Sequence, residues 1–335
     1  MDSPLKTHRR VLAASLVGTS VEFYDFYVYA TAAALVFGPL FFPSESASAQ
    51  QFLSFMSFGL AFIARPVGAI AFGHFGDRLG RKSTLVASLL LMGISTLLIA
   101  FLPTYAMIGW VAPLLLCVLR FGQGFGLGGE WGGATLLAME NAPKGWEARF
   151  GSAPQFGAPI GFLAANGLFL LLGLGMSDEQ FVAWGWRIPF LFSALLVIIG
   201  LWVRLRIAET PAFREALAKE PPPAVPLGRL LRFNWGSVLA GTAGVVAAFA
   251  LFYLSTAFAL SHLTTERGES RETILSLQLA ANVFFALGIA LAAIYADRIG
   301  ARRVLGFGAV ATVLLGIGFG PALAEGPLPT VFVTL

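Results

Sequence analysis

The chain has 335 residues, of which 57% are apolar and only 12% charged, against about 25% charged in ordinary soluble domains. Its net charge is +4, and it holds one cysteine, Cys117, and three scattered histidines, His8, His74 and His262. This composition excludes a water-soluble domain, an intrachain disulfide framework and a histidine-ligated metal centre. The positive charge follows Lys and Arg in short loops, which points to the inner face of a membrane and not to nucleic acid.

A spanning helix needs about 20 mostly apolar residues. The sequence predicts spans at 11–37, 52–73, 84–102, 107–136, 153–174, 185–205, 237–261, 274–295 and 304–323, with a further one starting near Leu328. The expected fold is therefore an all-α membrane bundle of about nine complete transmembrane helices plus a partial tenth. The basic start Lys6–Arg10 could open a signal peptide. However, Glu22 and Asp25 interrupt the stretch that follows and no small-residue cleavage site closes it, so it reads as a first spanning helix.

Between the second and third spans lies a charged turn containing Gly73, Gly76, Asp77, Arg78, Gly80, Arg81 and Lys82. The order Asp-Arg-x-Gly-x-basic returns at Asp297, Arg298, Gly300 and Arg302, an offset of 220 from 77 to 297. Such a turn at matching places in two parallel halves is the layout of a secondary transporter. Gly73, Asp77, Arg78, Gly80, Arg81, Asp297 and Arg298 are the expected conformational-gate residues. The polar segment 206–236, with Pro221–Pro223 and Pro226, reads as a cytoplasmic linker between a six-helix bundle (1–205) and an incomplete second bundle (237–335). At the same offset Leu335 corresponds to Leu115, early in the fourth span, so the chain reads as an incomplete transporter.

Of the 22 Lys and Arg residues, seventeen fall in the amino terminus and the loops on its side, and three (Arg187, Arg267, Arg271) on the other side. The positive-inside rule then places the amino terminus in the cytoplasm of a bacterial-type inner membrane.

The remaining two cations, Arg65 and Arg120, lie inside spans. A charge near the bilayer centre costs at least about 2.5–3.5 kcal/mol on insertion scales and needs a reason. Glu22, Asp25 and Tyr29 recur at i, i+3, i+7 and share one face of the first helix. Arg120, Gln123, Leu127 and Trp131 line one stripe of the fourth, with Glu130 at its flank. Arg65 precedes Asp77 by twelve residues, roughly 18 Å of helix at about 1.5 Å per residue. One reading is an aqueous cavity in which Arg65 and Arg120 attract an anion while Asp25 or Glu22 carries a proton. If substrate draws the arginine away from its carboxylate, the carboxylate takes up a proton. The other reading is a set of permanent buried pairs that fix helix register. Asn166, Tyr253, Gln278 and Asn282 are polar positions in spans, either cavity contacts or satisfied interhelical bonds. The glycines from Gly122 to Gly133 include a formal G-x-G-x-x-G at 124, 126 and 129. Inside an apolar span they read as close helix packing and not as a dinucleotide site. Gly157-Ala-Pro159-Ile-Gly161 reads the same way.

These residues resemble the major facilitator superfamily and, within it, the metabolite:proton symporter family, which carries shikimate, α-ketoglutarate, citrate, proline and betaine. The turn from Gly73 to Lys82 is similar to the superfamily's loop between helices two and three. The run from Arg120 to Gly133 resembles the family's fourth-helix pattern, Glu22 with Asp25 its first-helix acidic pair, and Arg206 to Phe213 the close of its sixth helix. By analogy with proton-coupled sugar porters, the resemblance implies that Asp25 and Arg120 form the coupling pair. It implies a substrate that is a small molecule, a carboxylate by preference, co-transported with protons by a monomer in the lipid bilayer without a cofactor. A zwitterionic osmolyte such as proline or betaine is the alternative substrate, and a non-transporting receptor or fragment a further one. An integral membrane enzyme is not expected, since no His/Cys/Asp grouping offers a nucleophile or metal site.

Overall fold

The computed structural model describes residues 9–79, 81–128, 135, 138, 139, 142–206 and 226–335, the side chains at 9–11, 14, 74–79, 81–83, 85, 203–206 and 226–232 excepted. Among these residues every regular element is a helix. The principal ones are α1 (Arg9–Ala32), α2 (Ala47–Leu79), α3 (Arg81–Ile99), α4 (Val111–Leu127) and α5 (Gly157–Gly175). They are followed by α6 (Ile188–Arg206), α7 (Pro226–Tyr253), α8 (Arg271–Ile299), α9 (Ala301–Glu325) and α10 (Leu328–Thr334). Six described stretches are long and apolar enough to cross a membrane: Ala47–Gly73, Glu147–Gly175, Gly185–Trp202, Phe233–Thr265, Arg271–Ile299 and Ala301–Glu325. The apolar parts of α3 and α4, Val86–Ile99 and Val111–Leu127, are shorter. The set does not include α1, which carries Glu22 and Asp25. The expectation of nine full spans is thus met by six among the described residues.

Large apolar side chains such as Ile63, Phe233 and Ile317 are exposed on the outer faces of these helices, as a lipid-facing surface requires. The polar face of α1 points the other way: from Val21 through the segment that follows it to Phe37, the chain is almost wholly buried at the centre of the core.

Small residues set the closest approaches. A Cβ on Gly124 of α4, or on Gly128 just past its end, would fall on the backbone of Ala61 or Arg65 in α2, and one on Gly68 of α2 on the backbone of Phe125. Across α1 and α5, Gly157 faces Thr19 and Gly161 faces the backbone of Tyr24. The glycines are therefore the contact surface between helices, as small residues are in lipid.

One backbone irregularity recurs along the chain. Helix α2 is described to Leu79, and α8 ends at Ile299, with one residue before α9 begins. That residue, Gly300, has φ of 93°, a conformation side chains resist. Both first helices also pass into a π-helical segment, Ala33–Phe37 after α1 and Leu254–Phe258 after α7, an offset of 221 from 33 to 254. Each segment is braced by the helix that follows it. Ser54 Oγ donates to Ala33 O at 2.7 Å, and Gln278 Nε2 donates to Thr256 O at 2.7 Å and Ser255 O at 3.0 Å.

Part of the expected 206–236 linker is helical. Helix α7 already begins at Pro226 and breaks at Asn234, whose φ and ψ are −131° and 23°. Proline favours a first helical turn, and the break separates a basic lead-in from the apolar span. Residues 207–225 lie outside the described residues.

Candidate functional site

Helices α2, α3, α4 and α6 of the first half and α7 of the second converge on the Glu22–Tyr29 stretch of α1. Asp25, 1% exposed, accepts a hydrogen bond from Ser193 Oγ of α6 and one from Thr96 Oγ1 of α3 at 3.1 Å. Arg120 of α4 is fully buried. Its Nη1 donates to Gln123 Oε1 at 3.0 Å and its Nε to Phe58 O at 3.3 Å, while Nη2 has no partner. The guanidinium carbon lies 4.1, 4.5 and 4.7 Å from the ring centres of Tyr29, Phe26 and Phe58. Cation–π attraction of this kind partly replaces lost hydration. The Tyr29 ring is held by its hydroxyl on Ser57 Oγ at 2.8 Å.

Arg65 of α2 shares the Phe26 ring, 4.6 Å from its centre, and packs on Phe62 at 5.0 Å. Its Nε is buried without a partner. The same guanidinium bonds the Tyr253 side chain and lies within electrostatic reach of Glu22. Tyr253, at the end of α7, packs its ring on Phe26, Phe58 and Phe62. The second half thereby closes one side of a cage around the two arginines.

Asp25 and Arg120, expected as a direct pair, do not form an ion pair. They are joined through two side chains: Arg120 donates to Gln123 Oε1, Gln123 Nε2 donates to Thr96 Oγ1 at 2.7 Å, and Thr96 reaches Asp25. The reason is steric. Phe26 and Tyr29 of α1 occupy the face of the guanidinium, and Asp25 is engaged by α3 and α6. Glu22, Asp25, Arg120 and Gln123 nevertheless border one small cavity of about 10 Å³ with Phe26, Met92 and Leu127, room for about one water.

The other expected contacts fall elsewhere. Asn166 accepts from Thr31 Oγ1 between α5 and α1, a satisfied interhelical bond. Gln278 braces the π segment after α7, and Asn282 donates to Pro159 O at 2.9 Å. Both line a larger cavity of about 240 Å³ between α5, α7 and α8, beside Phe162, Phe252 and Ser255. Glu130, Trp131 and Gly80 lie outside the described residues, as do the side chains of Asp77, Arg78 and Arg81. Gly73 is an exposed residue within α2, and Arg298 is exposed at the end of α8. Asp297 is engaged: it accepts from Arg149 Nε at 2.6 Å and from the amides of Ala148 and Arg149 at 2.8 and 3.2 Å. At the opposite end of α8, Arg271 bonds Asp178 at 2.9 Å and stacks on Phe181.

Thr96, Ser193, Ser57 and the rings Phe26, Phe58 and Phe62 belong to the site and were not singled out by the sequence. A hydroxyl in a span usually satisfies itself on a carbonyl one turn back, as Thr96 also does on Met92 O at 2.9 Å, so it carries no signal of its own.

A buried cluster of charges at the heart of apolar helices that can span a membrane is the make-up of a polytopic membrane transporter. Residues 11–220 match the family of sugar (and other) transporters, and the chain belongs to that family. It is 47% identical over 338 residues to the inner membrane metabolite transport protein YhjE of Escherichia coli K12, covering 99% of this chain and 77% of that one. The shikimate transporter of the same organism is 43% identical over 95% of this chain and 73% of its own length. The proline/betaine transporter of Salmonella typhimurium is 31% identical over 92% and 63%. In fold, the chain is similar to the major facilitator superfamily proton:xylose symporter XylE bound to 6-bromo-6-deoxy-D-glucose. The TM-score is 0.78 at 17% identity, over 99% of this chain and 78% of that one.

Proposed function

We propose that this chain carries a small organic acid across the bacterial inner membrane together with protons, by alternating access. The observation that supports this reading is the pair of caged arginines, each with a buried donor nitrogen that has no partner. A guanidinium donor left unmade in a buried site is costly, and a carboxylate satisfies it in a planar two-bond geometry. Asp25, Glu22 and Arg120 are the proposed coupling residues. Arg65, Arg120, Tyr29, Gln123 and Tyr253 line the proposed anion site, and Gln278 and Asn282 the adjoining cavity. Asp297 with Arg149 acts as a cytoplasmic latch of the gate. The lysine and arginine bias supports a cytoplasmic amino terminus, and residues 1–205 act as one bundle against 237–335, within a single monomer.

A zwitterion such as proline or betaine is the second reading, supported by the aromatic rings around the site, which would receive a quaternary or secondary ammonium. Uptake of labelled shikimate, proline and betaine into vesicles containing the purified chain, under an imposed pH gradient, separates the two. Accumulation of shikimate alone supports the acid, and accumulation of proline or betaine alone overturns it. A chain that accumulates none of the three under any gradient is a non-transporting form.

A further inference from the structure

We propose that Thr96 and Gln123 are positioning residues that transmit the occupancy of Arg120 to the protonation of Asp25. This rests on the reading of Asp25 as the proton carrier. The relay turns on the bond count at one oxygen. Thr96 Oγ1 has one proton and two lone pairs. Gln123 Nε2 donates to it at 2.7 Å, and two acceptors compete for its proton: Asp25 Oδ2 at 3.1 Å and Met92 O at 2.9 Å.

Both protonation states of Asp25 satisfy this oxygen, but with opposite proton directions. With Asp25 ionised, Thr96 donates to the carboxylate. With Asp25 protonated, the new O–H donates to Thr96 and the threonine proton turns to Met92 O, which is one helical turn away on the same helix. One proton is taken up from the cavity and no other bond changes. Gln123 donates in both states, and its own carbonyl oxygen is held by Arg120 Nη1 at 3.0 Å. That bond polarises the Gln123 amide and so strengthens its donation to Thr96, which in turn strengthens the Thr96 bond to ionised Asp25. An anion that draws the guanidinium away from Gln123 weakens every link, and Asp25 then binds a proton more readily. The order of events needed for symport follows: substrate at Arg120 favours a proton at Asp25, without the two charges touching.

The ionisable groups around Asp25 are Tyr24 and Glu22 on its own helix, Arg120 from α4 and, across Phe26, Arg65 from α2. Tyr24 is turned to α6, where its hydroxyl donates to Pro189 O at 2.8 Å. Helices α3 and α6 contribute hydroxyls, Thr96 and Ser193. Thr96 is therefore the link between the acidic and basic sides that a neutral substitution can cut without adding or removing charge.

The test is infrared titration of the protonated-carboxyl band of the full chain in lipid vesicles, with Asp25→Asn identifying the band. Thr96→Val keeps the shape and removes the hydroxyl, so the titration midpoint is expected to rise by about one pH unit, the loss of roughly one hydrogen bond to a charged acceptor. Thr96→Ser is expected to restore it. Gln123→Met touches no atom of Asp25 and is expected to raise the midpoint by a smaller amount, so it carries the test should Thr96→Val fail to fold. A midpoint unchanged in both Thr96→Val and Gln123→Met overturns the relay. Absence of any titrating band that disappears in Asp25→Asn sinks the proton-carrier reading itself, and the relay with it.

Discussion

Asp297 and Arg149 stand 148 positions apart and meet at 2.6 Å, and the same carboxylate caps the amides of Ala148 and Arg149 at the start of a short helix, Glu147–Gly151. One side chain of the second half thus holds both a cation and a helix end of the first. Three bonds to one carboxylate that is 3% exposed make this tie stronger than an ordinary surface pair. Asp297→Asn removes the charge but preserves the shape. It is expected to weaken the tie by about 2 kcal/mol, roughly thirtyfold in the closed-to-open ratio. The measurement is maleimide labelling of Ala148→Cys, which should accelerate when Asp297→Asn is added. An unchanged rate would mean the tie holds nothing shut.

Asp25→Asn is expected to abolish uptake driven by a pH gradient while leaving substrate exchange across the membrane, because exchange needs no net proton movement. An amide can still bond to Ser193 and Thr96, so the fold should be retained. Accumulation against a gradient with wild-type pH dependence would pass the role to Glu22, whose carboxylate borders the same cavity.

Arg120→Lys is expected to behave almost as poorly as Arg120→Ala, with substrate affinity lowered about a hundredfold or more. A lysine offers neither the flat surface that Tyr29, Phe26 and Phe58 enclose nor two donors aimed at Gln123 and Phe58 O. Equilibrium binding of labelled substrate to purified protein measures this, and a lysine variant of normal affinity would show that only the charge matters.

Gly124→Ala is expected to destabilise the protein by about 1–3 kcal/mol, because its Cβ falls on the Ala61 backbone and not on the end of a flexible side chain. Gly59→Ala, on the facing helix α2 with open space around it, serves as the control and should be neutral. Thermal unfolding in detergent compares the two. Equal melting temperatures would mean that α2 and α4 separate freely.

The helices and the second charged turn were legible because both are local: apolar length marks a span, and a glycine before a basic run marks the turn at Gly300. The charges inside spans were legible too, since each is expensive, and Glu22, Asp25, Arg65, Arg120, Gln123 and Tyr29 do gather around α1. The link between them was not. Sequence spacing gives the face a residue occupies but not which neighbour reaches it first, and aromatic rings from α1 and α2 took the place expected for Asp25 beside Arg120. Tyr253 joins the site because α7 packs across α1, whereas Gln278 and Asn282 are drawn off to free carbonyls at Ser255, Thr256 and Pro159. Those carbonyls become available through π and proline geometry, which a polar residue count does not reveal.

The two π-helical segments are also a second marker of repetition, independent of the charged turns. A π turn holds one residue more than an α turn and is rare, so Ala33–Phe37 and Leu254–Phe258, equal in length and 221 positions apart from 33 to 254, repeat an irregularity of the backbone itself. The charged turns repeat less closely in sequence, with Ala293, Ala296 and Ala301 where the first has Gly73, Gly76 and Arg81. The irregularity keeps its length in both places where the motif does not keep its residues.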